Sequence, residues 1–527
     1  MSRAELSRAC TTSASERASF LSRIARVGAR SPRRVHARWS HRARAAAAAF
    51  DAFDALVREE ATRGTSAAID VIDIGGIEPS SDGSRLVGVV ARRDIPRETR
   101  VLERALDAPA YDAEYARADD GFGLASALKR HESEVQRRVS DDVAMGLMLA
   151  FAARHPERSP LGAYARALPR DAARTPALCD DDELEALVPM LSLHLVDQID
   201  IARREFALAY DDARAVVREM ESEVELAEDE FAWAWSMVRS RAITFAVRQA
   251  ASGEVVRKRC LVPVCDILNH SPSSATNGPN VRIEATASGS SWVTTRDVAA
   301  GDALRWTYGE LSNEEMWLWY GFVPSNPVHD DCSVVFNLPD AVFLNGLNAV
   351  AKDDRAETGA LRRELLKRAG ALGLNEGEEL SFVINMRGPP TVLGGIAGIM
   401  CCDADEVVAI AASTVISANG GVDGDLFELK PESRRRAGRY VAWLLTQVEA
   451  FVCGATDAEV EEYERTALAV GGEHEERFKI TKALRAGAKA TFSAMQRQLA
   501  EDVLLSPRGA WIDDATKRLV ATARSEG

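Results

Sequence analysis

Two periodicities divide this chain. Residues 66–105 ("SAAIDVIDIGGIEPSSDGSRLVGVVARRDIPRETRVLERA") alternate β-branched runs with Gly, Pro, Asp and Ser turns, the pattern of short strands. From Ala110 to about Glu230, Ala, Leu, Arg and Glu recur at helical spacing, broken at "RHPERSP" and "LPRDAARTP". Strand signals return between Cys260 and Phe336, in "RCLVPVCDIL", "NVRIEAT", "SWVTTRDV" and "CSVVF". After Leu344 the pattern is helical to the end, with Gly-rich breaks at "GGIAGI" and "NGGVDGD" and no fixed-period repeat. The order predicts an α+β protein whose β core is split by a helical insertion. The longest apolar run, Val143 to Ala153, falls short of the ~18 residues of a membrane span and predicts a buried helix.

A split β core can bring distant segments to one place, so the polar residues of the second β zone are the candidates for a site. They gather in "VCDILNHSP" and in "ALRWTYGELSNEEMWLWYGFVPSNP". The apolar run Cys260 to Leu268, read as a buried strand, ends on Asn269 and His270 just before a Ser/Pro turn. Two such side chains need hydrogen-bond partners. Either they cap a turn and bond each other, or a ligand meets them.

The segment "LVPVCDILNHS" (Leu261 to Ser271), followed by "GDALRWTYGELSNEEMWLWYGFVPSNP" (Gly301 to Pro327), resembles the paired signature of SET-domain protein methyltransferases. It is similar in particular to the subfamily of the Rubisco large-subunit lysine N-methyltransferase. There an Asp-x-x-Asn-His-Ser strand end and a Tyr-Gly-x-x-Ser-Asn-x-Glu segment are both expected, with Tyr-Gly-Phe shortly after. "FAWAWSMVRSRAITF", "PLGAYARALP" and "GVVARRDIPRETRVL" extend the likeness to roughly residues 65–500. The resemblance implies a SET β-fold with a knot-like active site, in two parts at 65–108 and 229–336. A helical insertion would occupy 109–228, and an all-α substrate-binding domain 343–505.

The same resemblance implies the chemistry. S-adenosylmethionine would be the cofactor, and a lysine of a protein the acceptor, by direct displacement with the reacting atoms within ~3–3.5 Å. Asn269 and His270 would hold the amino-acid and adenine ends of the cofactor. Arg241 would meet its carboxylate with two hydrogen bonds, and Asp266 would orient Arg241 or the neighbouring loop. Tyr308 is the expected catalytic residue, its hydroxyl oxygen directed at the methyl and sulfonium. Tyr320 and Phe322 would line the lysine channel or the cofactor pocket, whereas Trp317 and Trp319 read as core. Backbone contacts from Arg85, Leu86 and Val87 complete the expected cofactor site. The subfamily's Gly-x-Gly is altered here: Gly88 matches its second glycine and Leu86 stands at the first, a strain on cofactor binding if that position needs positive φ.

A related branch methylates histidine and carries Trp and Asn where this chain has Cys265 and Ala242, which favours lysine. A catalytically lapsed SET protein that binds a partner remains the alternative, with a histidine-directed enzyme beside it. Composition adds a compartment. The first fifty residues hold eleven arginines against Glu5 and Glu16, so the formal −15 of the whole chain leaves −24 on residues 51–527. That leader reads as a transit peptide or a disordered basic tail, with chloroplast stroma expected first and mitochondrion second. The acidic body disfavours nucleic acid and suits a basic, lysine-bearing protein. The eight cysteines show neither C-x-x-C nor zinc-finger spacing, so no structural metal is expected and most should be buried hydrophobes. No membrane partner is expected, and the oligomeric state is open.

Overall fold

The computed structural model describes residues 42–78, 86–109, 111–118, 121–169, 175–181, 184, 187–220, 225–248, 253–272, 278–286, 288–324, 332–337, 355–368, 379–384, 391–418, 429–452, 457–470, 473–499, 512 and 515–518. Among the described residues ten strands precede residue 310: β1 (Thr65–Ala67), β2 (Ile72–Glu78), β3 (Leu86–Ala91), β4 (Arg100–Ala105), β5 (Ile243–Arg248), β6 (Val255–Cys260), β7 (Asn269–His270), β8 (Val281–Thr286), β9 (Gly289–Thr294) and β10 (Ala303–Trp306). One sheet runs β1-β4-β9-β8 and a second β2-β3-β10-β7, with β5 and β6 as a separate hairpin. Every pairing in these sheets is antiparallel except that of β7 with β10, which is parallel. That pairing carries Asn269 beside Arg305 and His270 beside Trp306, so the two motif segments become neighbours in one sheet.

Local chemistry explains where the strands bend. The β2–β3 ladder shifts register between Ile74 and Gly76, and Gly75 sits there at φ 86. A Cβ on Gly75 would stand 2.3 Å from the ring of Phe53, so both the left-handed backbone and the close approach call for glycine. Phe53 belongs to the helix Arg42–Thr62, which inserts Phe53 and Leu56 into the core.

The helical stretch between β4 and β5 includes the helices Leu124–Val135, Asp141–Arg154, Gly162–Ala167, Leu193–Arg218 and Glu228–Arg241. In Asp141–Arg154 every residue from Val143 to Ala152 is buried, as the apolar run predicts, and Ser140 caps its N-terminus by accepting from Val143 N. These helices share one core with the two main sheets. A second core lies among the C-terminal helices Arg355–Arg368, Thr391–Cys401, Ala404–Ala418, Pro431–Val452 and Glu473–Leu499.

Two expectations are corrected. Cys260 to Leu268 is not a continuous strand: β6 ends at Cys260, Leu261 makes a bridge to Tyr111, and Cys265–Ile267 forms a 3-10 turn. Pro263 lacks the N–H a ladder needs, and Val264 adopts φ 73, an outlier for a β-branched residue. The C-terminal part is not all-α either, because Glu379–Ile384 forms strand β12, antiparallel to β11 (Cys332–Asn337) over six residue pairs. The run "ELSFVI" has strand composition, but it sits among helical segments and pairs with a partner far back in the sequence. Among the described residues no helix is long and apolar enough to cross a membrane, and no group of His, Cys, Asp and Glu could hold a metal ion. The described cysteines whose side chains are placed, Cys179, Cys260, Cys265, Cys401 and Cys402, are buried.

Candidate active site

The short strand β7 fixes Asn269 between two others. Its Nδ2 donates to Glu78 Oε1 at 2.8 Å and to the Val87 carbonyl at 2.9 Å. Glu78, at the end of β2, is 1% exposed, and its other oxygen takes Arg305 of β10 at 2.8 and 2.9 Å. A carboxylate so buried is held by a guanidinium on one side and an amide on the other, which is what a buried charge requires. Gly88 makes the arrangement possible. A Cβ there would lie 2.0 Å from Glu78 Oε1 and 2.6 Å from Asn269 Nδ2, closer than any side chain tolerates.

His270 and Tyr308 form the second unit. The backbone N–H of Tyr308 donates to His270 Nδ1 at 3.1 Å, and their rings lie 5.2 Å apart. Burial pulls the imidazole down to about 4, so it is neutral at physiological pH. The Tyr308 hydroxyl donates to the Leu268 carbonyl at 3.1 Å, an acceptor it shares with Trp306 Nε1, also at 3.1 Å. Burial raises the Tyr308 phenol well above the ordinary tyrosine range. Tyr320 packs 5.0 Å from the Tyr308 ring and Phe322 6.4 Å beyond, edge-on and 37% exposed. The aromatic row thus runs from the buried phenol to the surface. The Ser312 and Glu315 of the Tyr-Gly motif form a capping box that starts the helix Asn313–Tyr320 and so sets where Tyr320 stands.

Arg241 closes the helix Glu228–Arg241, and its Nη1 donates to the Asp266 carbonyl at 3.1 Å. Asp266 is 6% exposed. Its Oδ2 accepts from the Tyr164 hydroxyl, and its Oδ1 is buried with no partner among the described residues. Burial pushes this carboxyl up to about 6, against the opposing pull of Arg241 and of the Tyr164 hydrogen bond.

The structure therefore brings Asn269, His270 and Tyr308 together on one sheet edge, joins Tyr320 and Phe322 to them, and sets Arg241 against Asp266. Asn269 and His270 do not bond each other. The chain itself supplies partners for Asn269 Nδ2 and His270 Nδ1. Val87 contributes its carbonyl. Leu86 pairs with Glu78 as ordinary extended strand, so the feared positive φ at that position does not arise. Arg85 lies outside the described residues. Trp317 is fully buried, and Trp319 packs at the core's margin beneath the Arg239 guanidinium, 4.5 Å away. Sequence reasoning missed Glu78, Arg305 and Tyr164. Tyr164 lies inside the family-like segment "PLGAYARALP", whereas Glu78 and Arg305 carry no local signal of burial.

No protein-family model matches the chain. Over 144 residues, 25% of the chain, it is 28% identical to the chloroplastic [fructose-bisphosphate aldolase]-lysine N-methyltransferase of Arabidopsis thaliana. Over 150 residues, 28% of the chain, it is 29% identical to N-lysine methyltransferase setd6 of Xenopus tropicalis. These matches span 27% and 30% of the two relatives' own lengths. The fold superposes on the SET domain of LSMT bound to lysine and AdoHcy with a TM-score of 0.54 and 17% identity, covering 86% of this chain and 92% of that one.

Proposed function

We propose, from the premise that this chain carries the SET-domain fold, that it is a protein-lysine N-methyltransferase using S-adenosylmethionine. The observation that carries the reading is the parallel β7–β10 pairing, which sets a neutral imidazole and a buried phenol side by side at a sheet edge. The residues fit the donor: a guanidinium with one hydrogen bond to the described residues for its carboxylate, and an uncharged His270 that does not repel a sulfonium. S-adenosylmethionine supplies an electrophilic methyl on a cationic sulfur.

The chain's part is alignment and electrostatics. Tyr308 stays protonated, so it is not the base. Its proton is committed to the Leu268 carbonyl, which leaves the oxygen lone pairs to face positive charge as the methyl passes. Tyr320 and Phe322 line the approach of the acceptor and exclude water. A lysine amine in that apolar row loses its proton more readily, through desolvation and the nearby sulfonium. Arg241, with the Oδ1 and backbone of Asn269, holds the amino-acid end of the donor. The C-terminal helices bind the protein substrate, a non-histone protein in this reading, as suggested by the aldolase-directed relative. The arginine-rich leader and that chloroplastic relative favour the chloroplast stroma.

The test is calorimetric titration of S-adenosylmethionine into the wild type, Asn269→Ala and Tyr308→Phe, with radiolabelled methyl transfer to chloroplast extract proteins. The reading expects saturable binding that Asn269→Ala weakens and Tyr308→Phe keeps. Tyr308→Phe should lower turnover by roughly 10²-fold or more, the range seen when a group facing transition-state charge is removed. A folded wild type that binds no donor would refute it.

A further inference from the structure

Tyr164 stands on the short helix Gly162–Ala167 of the helical insertion and is 1% exposed. Its hydroxyl donates to Asp266 Oδ2, 102 residues further along the chain. A phenylalanine would fill the same space without placing a polar atom in the core, so the hydroxyl needs a reason. Asp266 is the reason: its carboxylate is buried, its Oδ1 is unpartnered among the described residues, and the cation that acts on it is Arg241. Arg241 in turn makes one side-chain hydrogen bond to the described residues, to the Asp266 carbonyl. The remaining acid that acts on Asp266 is Glu60, which is itself paired with Arg63 at 2.9 Å on the helix Arg42–Thr62. Tyr164 at the side chain of Asp266 and Arg241 at its carbonyl thus link the insertion to the candidate cofactor site.

We propose that Tyr164 is a positioning residue for Arg241: by anchoring the Asp266 side chain it fixes the Asp266 carbonyl that takes Arg241 Nη1, and so holds the guanidinium in the orientation that receives the carboxylate of the methyl donor's methionine. This rests on the reading of Arg241 given above. The insertion therefore does more than decorate the β core, because its hydroxyl tunes one end of the donor and leaves the adenine end untouched. A hydrogen bond to a charged group supports a change of roughly tenfold in affinity when the donor hydroxyl is deleted.

That selectivity supplies the test. Dissociation constants are measured with the full chain for S-adenosylhomocysteine and for 5′-methylthioadenosine, which shares the adenosine and sulfur but lacks the amino-acid carboxylate. The variants are Tyr164→Phe, Asp266→Asn and, as a reference, Arg241→Gln, each with its melting temperature recorded. Tyr164→Phe is expected to weaken S-adenosylhomocysteine about tenfold and methylthioadenosine less than twofold, in the pattern of Arg241→Gln. Asp266→Asn keeps the shape and removes the charge, and should show the same selective loss should Tyr164→Phe fail to fold. Equal losses for both ligands, or a lowered melting temperature with both affinities intact, would make Tyr164 a purely structural residue and overturn the proposal. A wild type that binds neither ligand would instead remove the reading of the site on which the proposal stands.

Discussion

The backbone N–H of Tyr308 points at Nδ1 of His270, 3.1 Å away. An amide N–H only donates, so Nδ1 is the acceptor and the imidazole proton sits on Nε2. Protonating Nδ1 would break the bond between the two halves of the site.

His270 should therefore resist acid. Burial depresses its folded pKa to about 4, below the ordinary value of 6.5. Stability from this group is present above 6.5 and is lost as pH falls towards 4, since only the unfolded state then takes up the proton. In an NMR titration, the ring resonance missing from the His270→Gln spectrum should stay fixed from pH 8 to about 5. A midpoint near 6.5 would contradict the buried, singly bonded imidazole.

Asp266 should run the other way. Its folded pKa of about 6 lies above its unfolded one, so its contribution is present below about 4 and lost as pH rises through 6. Asparagine does not titrate. Between pH 4 and 7.5 the stability of Asp266→Asn relative to wild type should improve by about 2–3 kcal/mol, the equivalent of a two-unit shift. Urea unfolding at the two pH values measures it, and a difference independent of pH would place Asp266 in water rather than in the core.

Glu78 and Arg305 should show strong coupling. Removing the guanidinium leaves a 1% exposed carboxylate with the Asn269 amide as its one side-chain partner among the described residues, so Arg305→Met should cost about 2–4 kcal/mol. Arg305→Met combined with Glu78→Gln should recover much of that, because the stranded charge goes with it. A double-mutant cycle by chemical denaturation gives the interaction directly, and simple additivity would rule the pair out as a buried unit.

Gly88→Ala should damage the site out of proportion to its size. The new methyl would meet Glu78 Oε1 at 2.0 Å and Asn269 Nδ2 at 2.6 Å, so one of the two must leave. A loss of about 1–3 kcal/mol is expected, together with loss of donor binding. Gly359→Ala, in the helix Arg355–Arg368 with nothing within 4 Å of the added carbon, should be neutral or stabilising by about 0.5–1 kcal/mol. Equal melting temperatures for the two variants would show that the Glu78–Asn269 contact is looser than its geometry.

How far the sequence foretold this molecule depends on whether the signal was local. Asn269, His270 and Tyr308 were legible because they sit in short motifs with fixed spacing. Val143 to Ala153 was legible as a buried helix from its composition alone. Glu78, Arg305 and Tyr164 were not, since each is an ordinary polar residue until a partner from a distant element arrives; Asn269 finds Glu78 across 191 positions. The turn at Pro263 and Val264 was hidden inside an apolar run, where hydrophobicity argued for a strand and backbone geometry decided otherwise. Strand β12 was missed because its partner, β11, lies more than forty residues earlier, across a stretch of helix-forming composition.

The sheet order β2-β3-β10-β7 has a consequence for biosynthesis. The β2–β3 hairpin is complete once Ala91 is made, yet the strand that covers the far side of β3 begins at Ala303. For about two hundred residues of translation β3 therefore presents an open edge, a template for pairing with another chain. The insertion emerges during that interval and can fold through its own near-neighbour contacts, whereas the sheet must close a very long loop. Pairing of β10 with β3 then seals the edge, and its pairing with β7 assembles the site, so a chain arrested before Trp306 would lack both and be prone to aggregate at once.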